Sequence, residues 1–360
     1  MAPDNVMAPK SVMASEARPS LAGEDGRASL AMTDGRDGRA SLAMTDLGTM
    51  TGDEVMSGKR VLLFGGNGQL GWTFRQHLPP EQLIVLDRQA VDLATPDAIR
   101  TAIRTHRPDI ILNAAAYTAV DKAQSEPDLA HRINAVAPGV MAEEAQAIGA
   151  CLVHFSTDYV FAGEGTQPYK ETDATGPLSV YGQTKLAGEH AVQQACTRHL
   201  MFRTSWVVGE HGGNFMKTML RLAAERDSLR VVADQHGVPT SAMLLVQCSL
   251  AAVRHCLQSE AEQQAAPWGL YHLVPAGETT WHAYAQHVIG LAHAQGLALK
   301  AKPEAVYPIR TEDYPLPAPR PKNSRLSTEK FERTFGVTLP SWQQSLPPVI
   351  ASPEGARQTL

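Results

Sequence analysis

Tyr181-Gly-Gln-Thr-Lys185 places a phenol and an amine four residues apart, on one face of the chain if this segment is helical. An ammonium beside a phenol favours the phenolate and draws the Tyr181 pKa down from its ordinary value of about 10. Such a phenol can move a proton to or from the oxygen of a carbonyl–alcohol couple. Tyr-x-x-x-Lys is a common string, and alone it reads as a surface pair. Upstream, however, Phe155-Ser156-Thr157-Asp158 supplies hydroxyls, and either Ser156 or Thr157 could bond the oxygen that Tyr181 protonates. A third element is Gly65-Gly-Asn-Gly68-Gln-Leu-Gly71, with glycines at every third position. Glycine there permits a tight turn and lets backbone N–H groups approach a pyrophosphate at a helix N-terminus. Glycine-rich turns also arise for structural reasons, but Asp87 follows about 20 residues later, where an acid can bind the adenosine ribose hydroxyls. Arg88 beside it can pair with the 2′-phosphate of NADP. Asp87 leans towards NAD and Arg88 towards NADP, so use of both cofactors is expected.

These residues need a scaffold that brings strand ends and helix starts together. Val61–Phe64, Leu83–Leu86, Ile110–Asn113, Cys151–Ser156 and Leu200–Thr204 are short β-branched or Leu-rich runs that read as buried strands. Helical patterns lie between them near Gln69–His77, Pro96–Thr105, Leu129–Ile148 and Tyr181–Cys196. The alternation predicts an α/β fold: a Rossmann-type, doubly wound parallel sheet with helices on both faces. The glycine-rich motif then follows the first strand and opens the first helix. Phe161–Pro177, with its glycines and prolines, predicts a long surface loop. Beyond Gly209 the pattern loosens into helices and short strands. That part predicts a smaller C-terminal substrate-binding lobe over the carboxyl ends of the strands, where α/β ligands bind. The expected organisation is a disordered extension over residues 1–56, a dinucleotide-binding domain over 57–208, a mainly substrate-binding lobe over 209–345 with some return to the sheet, and a tail over 346–360.

Residues 1–56 hold few large apolar side chains and carry a 12-residue tandem repeat, Gly26–Asp34 recurring as Gly38–Asp46. Such a composition buries too little surface to offset its ordering entropy, and Met56 is a plausible alternative start. The extension has no apolar core of secretory type, and Glu16, Asp25 and Asp34 weigh against a transit peptide. Across the 360 residues, 32 Lys+Arg face 37 Asp+Glu, a net charge of −5, which argues against nucleic-acid and anionic-membrane partners. Apolar runs of about a dozen residues are well short of the roughly 20 needed for a span. Cys151, Cys196, Cys248 and Cys256 are scattered without a Cys-x-x-Cys pair, so neither disulfide scaffold nor structural zinc is indicated. His282 and His287, five apart, do not share a helix face as a zinc pair would, and no metal site is expected from them. A cytoplasmic protein is expected. The run Tyr314–Pro321 reads as an ordered loop of the second lobe rather than a ligand for a proline-recognition domain.

Taken together, the glycine motif, Asn113-Ala-Ala-Ala116, the Ser-Thr strand end and Tyr181/Lys185 resemble an extended short-chain dehydrogenase/reductase. Within that superfamily the chain is similar to the dTDP-4-dehydrorhamnose reductases. The matching segments include Gly68-Gln-Leu-Gly-Trp72, Ser156-Thr-Asp-Tyr-Val-Phe161, Pro177–Glu189, Arg203-Thr-Ser-Trp206, Asp234–Thr240 and Arg320-Pro-Lys-Asn-Ser-Arg-Leu326. They run from about residue 59 to about residue 340, and Ser156–Phe161, Arg203–Trp206 and Arg320–Leu326 are the most particular. The extension before Lys59 has no counterpart, and Gly66-Asn67 departs from the larger or hydroxylic residues of many relatives.

The resemblance implies reduction of the 4-keto group of dTDP-4-dehydro-β-L-rhamnose to dTDP-β-L-rhamnose with NADPH, NADH being accepted too. It implies Tyr181 as the acid, Thr157 orienting the carbonyl, and Lys185 on the nicotinamide ribose. Gly65, Gly68, Gln69, Leu70 and Gly71 fall to the pyrophosphate loop, and Asp87 and Arg88 to the adenosine ribose. Asp92 and Leu93 fall to the adenine, and Ala114, Ala115 and Ala116 to the cofactor cleft. Thr157, Asp158 and Trp206 fall to the dTDP-sugar substrate, although Trp206 could be a core aromatic and Asp158 a loop cap. Mg²⁺ at a subunit contact and a homodimer are implied by the resemblance alone. Two other readings fit the same fold: a nucleotide-sugar epimerase or dehydratase, with Asp158 as an extra acid, and a non-catalytic regulatory subunit of methionine adenosyltransferase.

Overall fold

The computed structural model describes residues 56–346. The expected extension and tail lie outside the described residues, apart from Met56 and Leu346, which are both buried in the core. Six parallel strands form the central sheet: β1 (Val61–Phe64), β2 (Leu83–Leu86), β3 (Ile110–Asn113), β4 (Cys151–Thr157), β5 (His199–Thr204) and β6 (Gly269–His272). Their spatial order is β2-β1-β3-β4-β5-β6. The order reverses between β1 and β3, and a crevice opens at their carboxyl ends, where ligands of such sheets bind.

Burial on both faces explains the uninterrupted apolar runs of these strands. Val61 and Leu63 point into one core, against Phe74 and Leu245, while Leu62 and Phe64 point into the other, against Ile99 and Met141. Helices α1 (Gln69–His77), α2 (Pro96–His106), α3 (Ala137–Ile148), α4 (Val180–Ala195), α5 (Phe215–Glu225), α6 (Ala242–Ala261) and α7 (Trp281–Ala294) complete the framework. A separate apolar cluster joins α5 and α7 through Met219, Leu222, Val288 and Ile289. Within the expected loop Phe161–Pro177, Tyr169 bridges to Leu326 of the late Arg-Pro-Lys-Asn-Ser-Arg-Leu segment. Among the described residues no helix is long and apolar enough to cross a membrane.

One element differs from the sequence expectation. The helix read over Leu129–Ile148 is divided: a short helix Pro127–His131, a π-turn Arg132–Val136, then α3. Pro138 accounts for the break, because it has no N–H to return to the Asn134 carbonyl and its ring would crowd that oxygen. The freed carbonyl packs directly against α4, where a Cβ on Gly188 would lie 2.1 Å from it. A bulkier residue at 188 would push α4, and the residues it carries, away from the sheet.

Candidate functional site

The glycine turn is shaped by backbone contact. Gly65 takes a left-handed φ of +83°, and a Cβ there would lie 2.8 Å from backbone atoms of Ala115. A Cβ on Gly71 would lie 2.1 Å from the Gly65 carbonyl oxygen, so α1 can start this close to β1 only with glycine in place. Gly68 caps α1 without a side-chain bond and the first turn holds no acid. No side chain of the cap or first turn therefore competes for its leading N–H groups, as a cradle for an anionic pyrophosphate requires. The Gln69 side chain is engaged elsewhere: Oε1 accepts from the Gly209 N–H at 2.8 Å and from Asn214 Nδ2 at 3.0 Å. The side chain of Gln69 is thus committed within the protein, which leaves its backbone free of that engagement.

Asp87 closes β2. Its Oδ1 accepts the Gln89 and Ala90 N–H groups at 2.9 and 3.0 Å, and its Oδ2 accepts Asn67 Nδ2 at 3.3 Å. These bonds, the Ala90 N–H foremost, hold its carboxyl below the usual range. Arg88 beside it is exposed. Asp92 is exposed and binds the Ala94 N–H at 3.0 Å, and Leu93 packs against the core formed with α2 and α3.

A cavity of about 170 Å³ brings together Thr157, Asp158, Tyr181, Trp206 and Arg320, which lie up to 163 positions apart in the chain by numbering, with an aromatic wall of Phe215, Trp281 and Tyr284. Ser179 caps α4 by accepting the Gly182 N–H, so Tyr181 sits in the first turn, facing the end of β4. Of the two hydroxyls left open by the sequence, Ser156 donates to Glu189 Oε1 at 2.5 Å within a buried pair with Arg203, whose Nε and Nη2 donate to Glu189 at 2.9 and 2.6 Å. Thr157 is the hydroxyl beside the phenol, and it donates to Asp158 Oδ1 at 2.9 Å. Burial pushes the Asp158 carboxyl up to about 6, against the pull of its Ser324 and Thr157 neighbours.

The Tyr–Lys pairing expected from the spacing is not formed. Lys185 turns inward, donating to the Phe155 carbonyl at 2.6 Å and facing His154 Nε2 at 3.3 Å. Burial pushes the Tyr181 phenol up to about 12; Thr157 opposes that rise and the Asp158 charge adds to it. Tyr181 therefore holds its proton throughout the neutral range, the state an acid needs for reduction.

Trp206 has a left-handed φ of +44°, costly for a bulky residue, and stacks on Trp281 with centroids 3.7 Å apart. Strain of this kind is found where surrounding structure holds a side chain at a site. Arg320 is buried, its Nη2 donating to Asp121 Oδ2 at 2.9 Å and its Nη1 to the Ala318 carbonyl at 2.9 Å. Sequence reasoning gave no role to Arg320, Phe215, Trp281 or Tyr284, because no local spacing marks residues that meet only across the fold. Nor did it single out Asn134, whose side chain in the π-turn ties the Tyr117 backbone to α4: Oδ1 accepts the Tyr117 N–H at 2.8 Å, and Nδ2 donates to the Tyr117 carbonyl at 3.0 Å and to Thr184 Oγ1 at 3.2 Å. Among the described residues no three His, Cys, Asp or Glu side chains gather as a metal site, so the implied Mg²⁺ has no ligand set within them.

The family model described as the RmlD substrate binding domain matches residues 59–354. The chain is 50% identical to the dTDP-4-dehydrorhamnose reductase of Salmonella typhimurium over 288 residues, 79% of this chain and 94% of that one. This chain belongs to the dTDP-4-dehydrorhamnose reductase family. Solved structures of the family agree with the fold. The reductase of Clostridium acetobutylicum aligns with a TM-score of 0.72 at 35% identity, over 81% of this chain and 98% of that one. The Bacillus anthracis reductase, solved in complex with NADP, aligns with a TM-score of 0.72 at 34% identity over the same shares. The glycine turn, the Ala114–Ala116 segment and Thr157 each follow or form the carboxyl end of a strand of the central sheet.

Proposed function

We propose that this protein reduces the C4 ketone of dTDP-4-dehydro-β-L-rhamnose to dTDP-β-L-rhamnose, the last step in making that sugar nucleotide, with NAD(P)H. The observation that carries the reading is the Tyr181 phenol beside Thr157 in the wall of a cavity at the carboxyl ends of the sheet, in a chain of this family. Residues 57–208 hold the dinucleotide and residues 209–345 supply most of the substrate wall. The backbone of Gly65, Gly68, Gln69, Leu70 and Gly71 receives the pyrophosphate, Asp87 the adenosine ribose, Asp92 and Leu93 the adenine, and Ala114–Ala116 the floor of the cleft.

The nicotinamide, when bound, supplies the hydride. The remaining chemistry belongs to this chain. Thr157 turns its hydroxyl from Asp158 to the substrate oxygen and sets where that oxygen lies. Tyr181 passes its phenolic proton to the oxygen as negative charge develops there. Lys185 holds the nicotinamide ribose from below. Asp158 and Trp206 contact the sugar nucleotide, with Trp281 backing the Trp206 ring.

Asp87 and Arg88 support use of both NADH and NADPH. Oxidation of each at 340 nm, with enzymatically made dTDP-4-dehydro-β-L-rhamnose, tests the reading. Oxidation of either cofactor with formation of dTDP-β-L-rhamnose supports it. Cofactor binding without oxidation overturns it. An Arg88→Ala variant is expected to lower the NADPH rate relative to NADH by about fivefold, the worth of about 1 kcal/mol from an exposed charge pair.

A further inference from the structure

Beneath Lys185 lies a buried polar chain that the mechanism above does not use. Asn113 ends β3 and His154 is its registered neighbour on β4, and both are about 1% exposed. The Ala115 N–H donates to Asn113 Oδ1 at 3.2 Å, which fixes the orientation of the amide. Asn113 Nδ2 therefore faces His154 Nδ1, at 3.0 Å, as a donor. An imidazole nitrogen receiving a hydrogen bond carries no proton, so the neutral ring must carry it on Nε2. That nitrogen stands 3.3 Å from Lys185 Nζ. Two donors would then oppose each other if Lys185 were an ammonium. The conflict penalises the ammonium and is relieved when Lys185 gives up a proton, for the lone pair of the amine can then accept the His154 N–H while one hydrogen stays on the Phe155 carbonyl.

We infer that Asn113 and His154 are positioning residues that tune the proton affinity of Lys185: Asn113 holds His154 as its Nε2–H tautomer, and that N–H disfavours the ammonium and so makes Lys185 easier to deprotonate than an ordinary lysine. Burial acts in the same direction, lowering Lys185 to about 8, and burial together with the Lys185 charge keeps His154 well below its ordinary value and so uncharged. The other ionisable groups around the chain are accounted for. Glu189, one turn on in α4, favours the ammonium but is already bonded to Arg203 of β5 and Ser156 of β4. His199 of β5 acts on His154. Asp158 and Tyr159, in the turn after β4, act on Tyr181. Glu144 of α3 pairs with Arg104, and Asp121 of the short helix Val120–Ala123 pairs with Arg320.

The tautomer is a property of the free protein, and only its bearing on turnover rests on the reductase reading. The full chain labelled with ¹⁵N-histidine and ¹³C-lysine tests it by NMR without substrate or cofactor, the His154 signal being assigned by its loss in His154→Phe. We expect Nε2 protonated and Nδ1 bare, with Lys185 titrating well below an ordinary lysine. Asn113→Asp presents an acceptor instead, moves the His154 proton to Nδ1, and lets Nε2 accept from the ammonium. Lys185 should then bind its proton at least about tenfold more tightly. A wild-type His154 protonated on Nδ1, or a Lys185 titration that Asn113→Asp leaves unmoved, overturns the inference. If Asn113→Asp fails to fold, the wild-type tautomer alone decides. A protein that lacks reductase activity but has the predicted tautomer would overturn the function and leave this inference standing.

Discussion

Replacing Tyr181 by Phe removes one oxygen from the site and, on the geometry above, little else. The ring would still pack edge-on to Tyr159, whose centroid lies 5.7 Å away at 78°. Lys185 would stay in place, because its amine is held by the Phe155 carbonyl rather than by the phenol. The loss is therefore that of a proton donor alone, worth about 10²–10⁴ in rate, or about 3–5 kcal/mol of transition-state stabilisation. With its pKa pushed up to about 12, the phenol is active below that value and its contribution falls only as pH rises towards it, so Tyr181 adds no alkaline limb between about pH 6 and 9. Single-turnover NADPH oxidation separates this chemical step from binding, and cofactor fluorescence reports affinity independently. The expected result is a rate loss of at least about a hundredfold with cofactor affinity within about threefold of wild type. A loss of less than tenfold, or an equal loss of cofactor affinity, would refute the assignment of Tyr181 as an acid that does not hold the cofactor.

Three further perturbations test the site's framework. Gly71→Ala sets a Cβ 2.1 Å from the Gly65 carbonyl, so α1 must move away from the turn and cofactor affinity should fall at least about tenfold; unchanged affinity by titration would show that the turn is not the cradle. Glu189→Gln leaves the Arg203 guanidinium buried without its counter-charge, and urea unfolding should show a loss of about 3–5 kcal/mol, whereas a loss below about 1 would mean the pair is nearly neutral in stability. Asp158 rises from an ordinary 3.8 to about 6 on folding, so its contribution is fully present below about pH 4 and is lost as pH climbs through 6. That displacement corresponds to about 3 kcal/mol, so the stability of wild type relative to Asp158→Asn should fall by that order between pH 4 and 8; parallel pH profiles of the two proteins would contradict it.

Local chemistry made much of this legible in advance. The strand runs β1, β2 and β3 and helix α1 have the bounds that their apolar period and the glycine turn indicate, because each is decided by neighbours in sequence. The same is true of Thr157 and Tyr181, one at a strand end and the other in a helix's first turn. The expectation that failed, a Lys185 paired with Tyr181, rested on spacing alone. A side chain as long as lysine can reach past its helical neighbour, and burial offered it a carbonyl and an imidazole on β4 instead.

The amino-acid sequence by itself determined the alternation of strands and helices, the glycine turn that only a Cβ-free backbone can make, and the family to which the chain belongs. Tertiary structure alone decided which hydroxyl lies beside Tyr181, since Ser156 is taken by Glu189 and Thr157 is not. It also decided that Asp121 meets Arg320, that Trp206 is held in a left-handed backbone against Trp281, and that Asn113, His154 and Lys185 form one chain. The physical reason is common to all of these: protonation, strain and hydrogen-bond partners depend on burial and on groups remote in sequence, which no local spacing records.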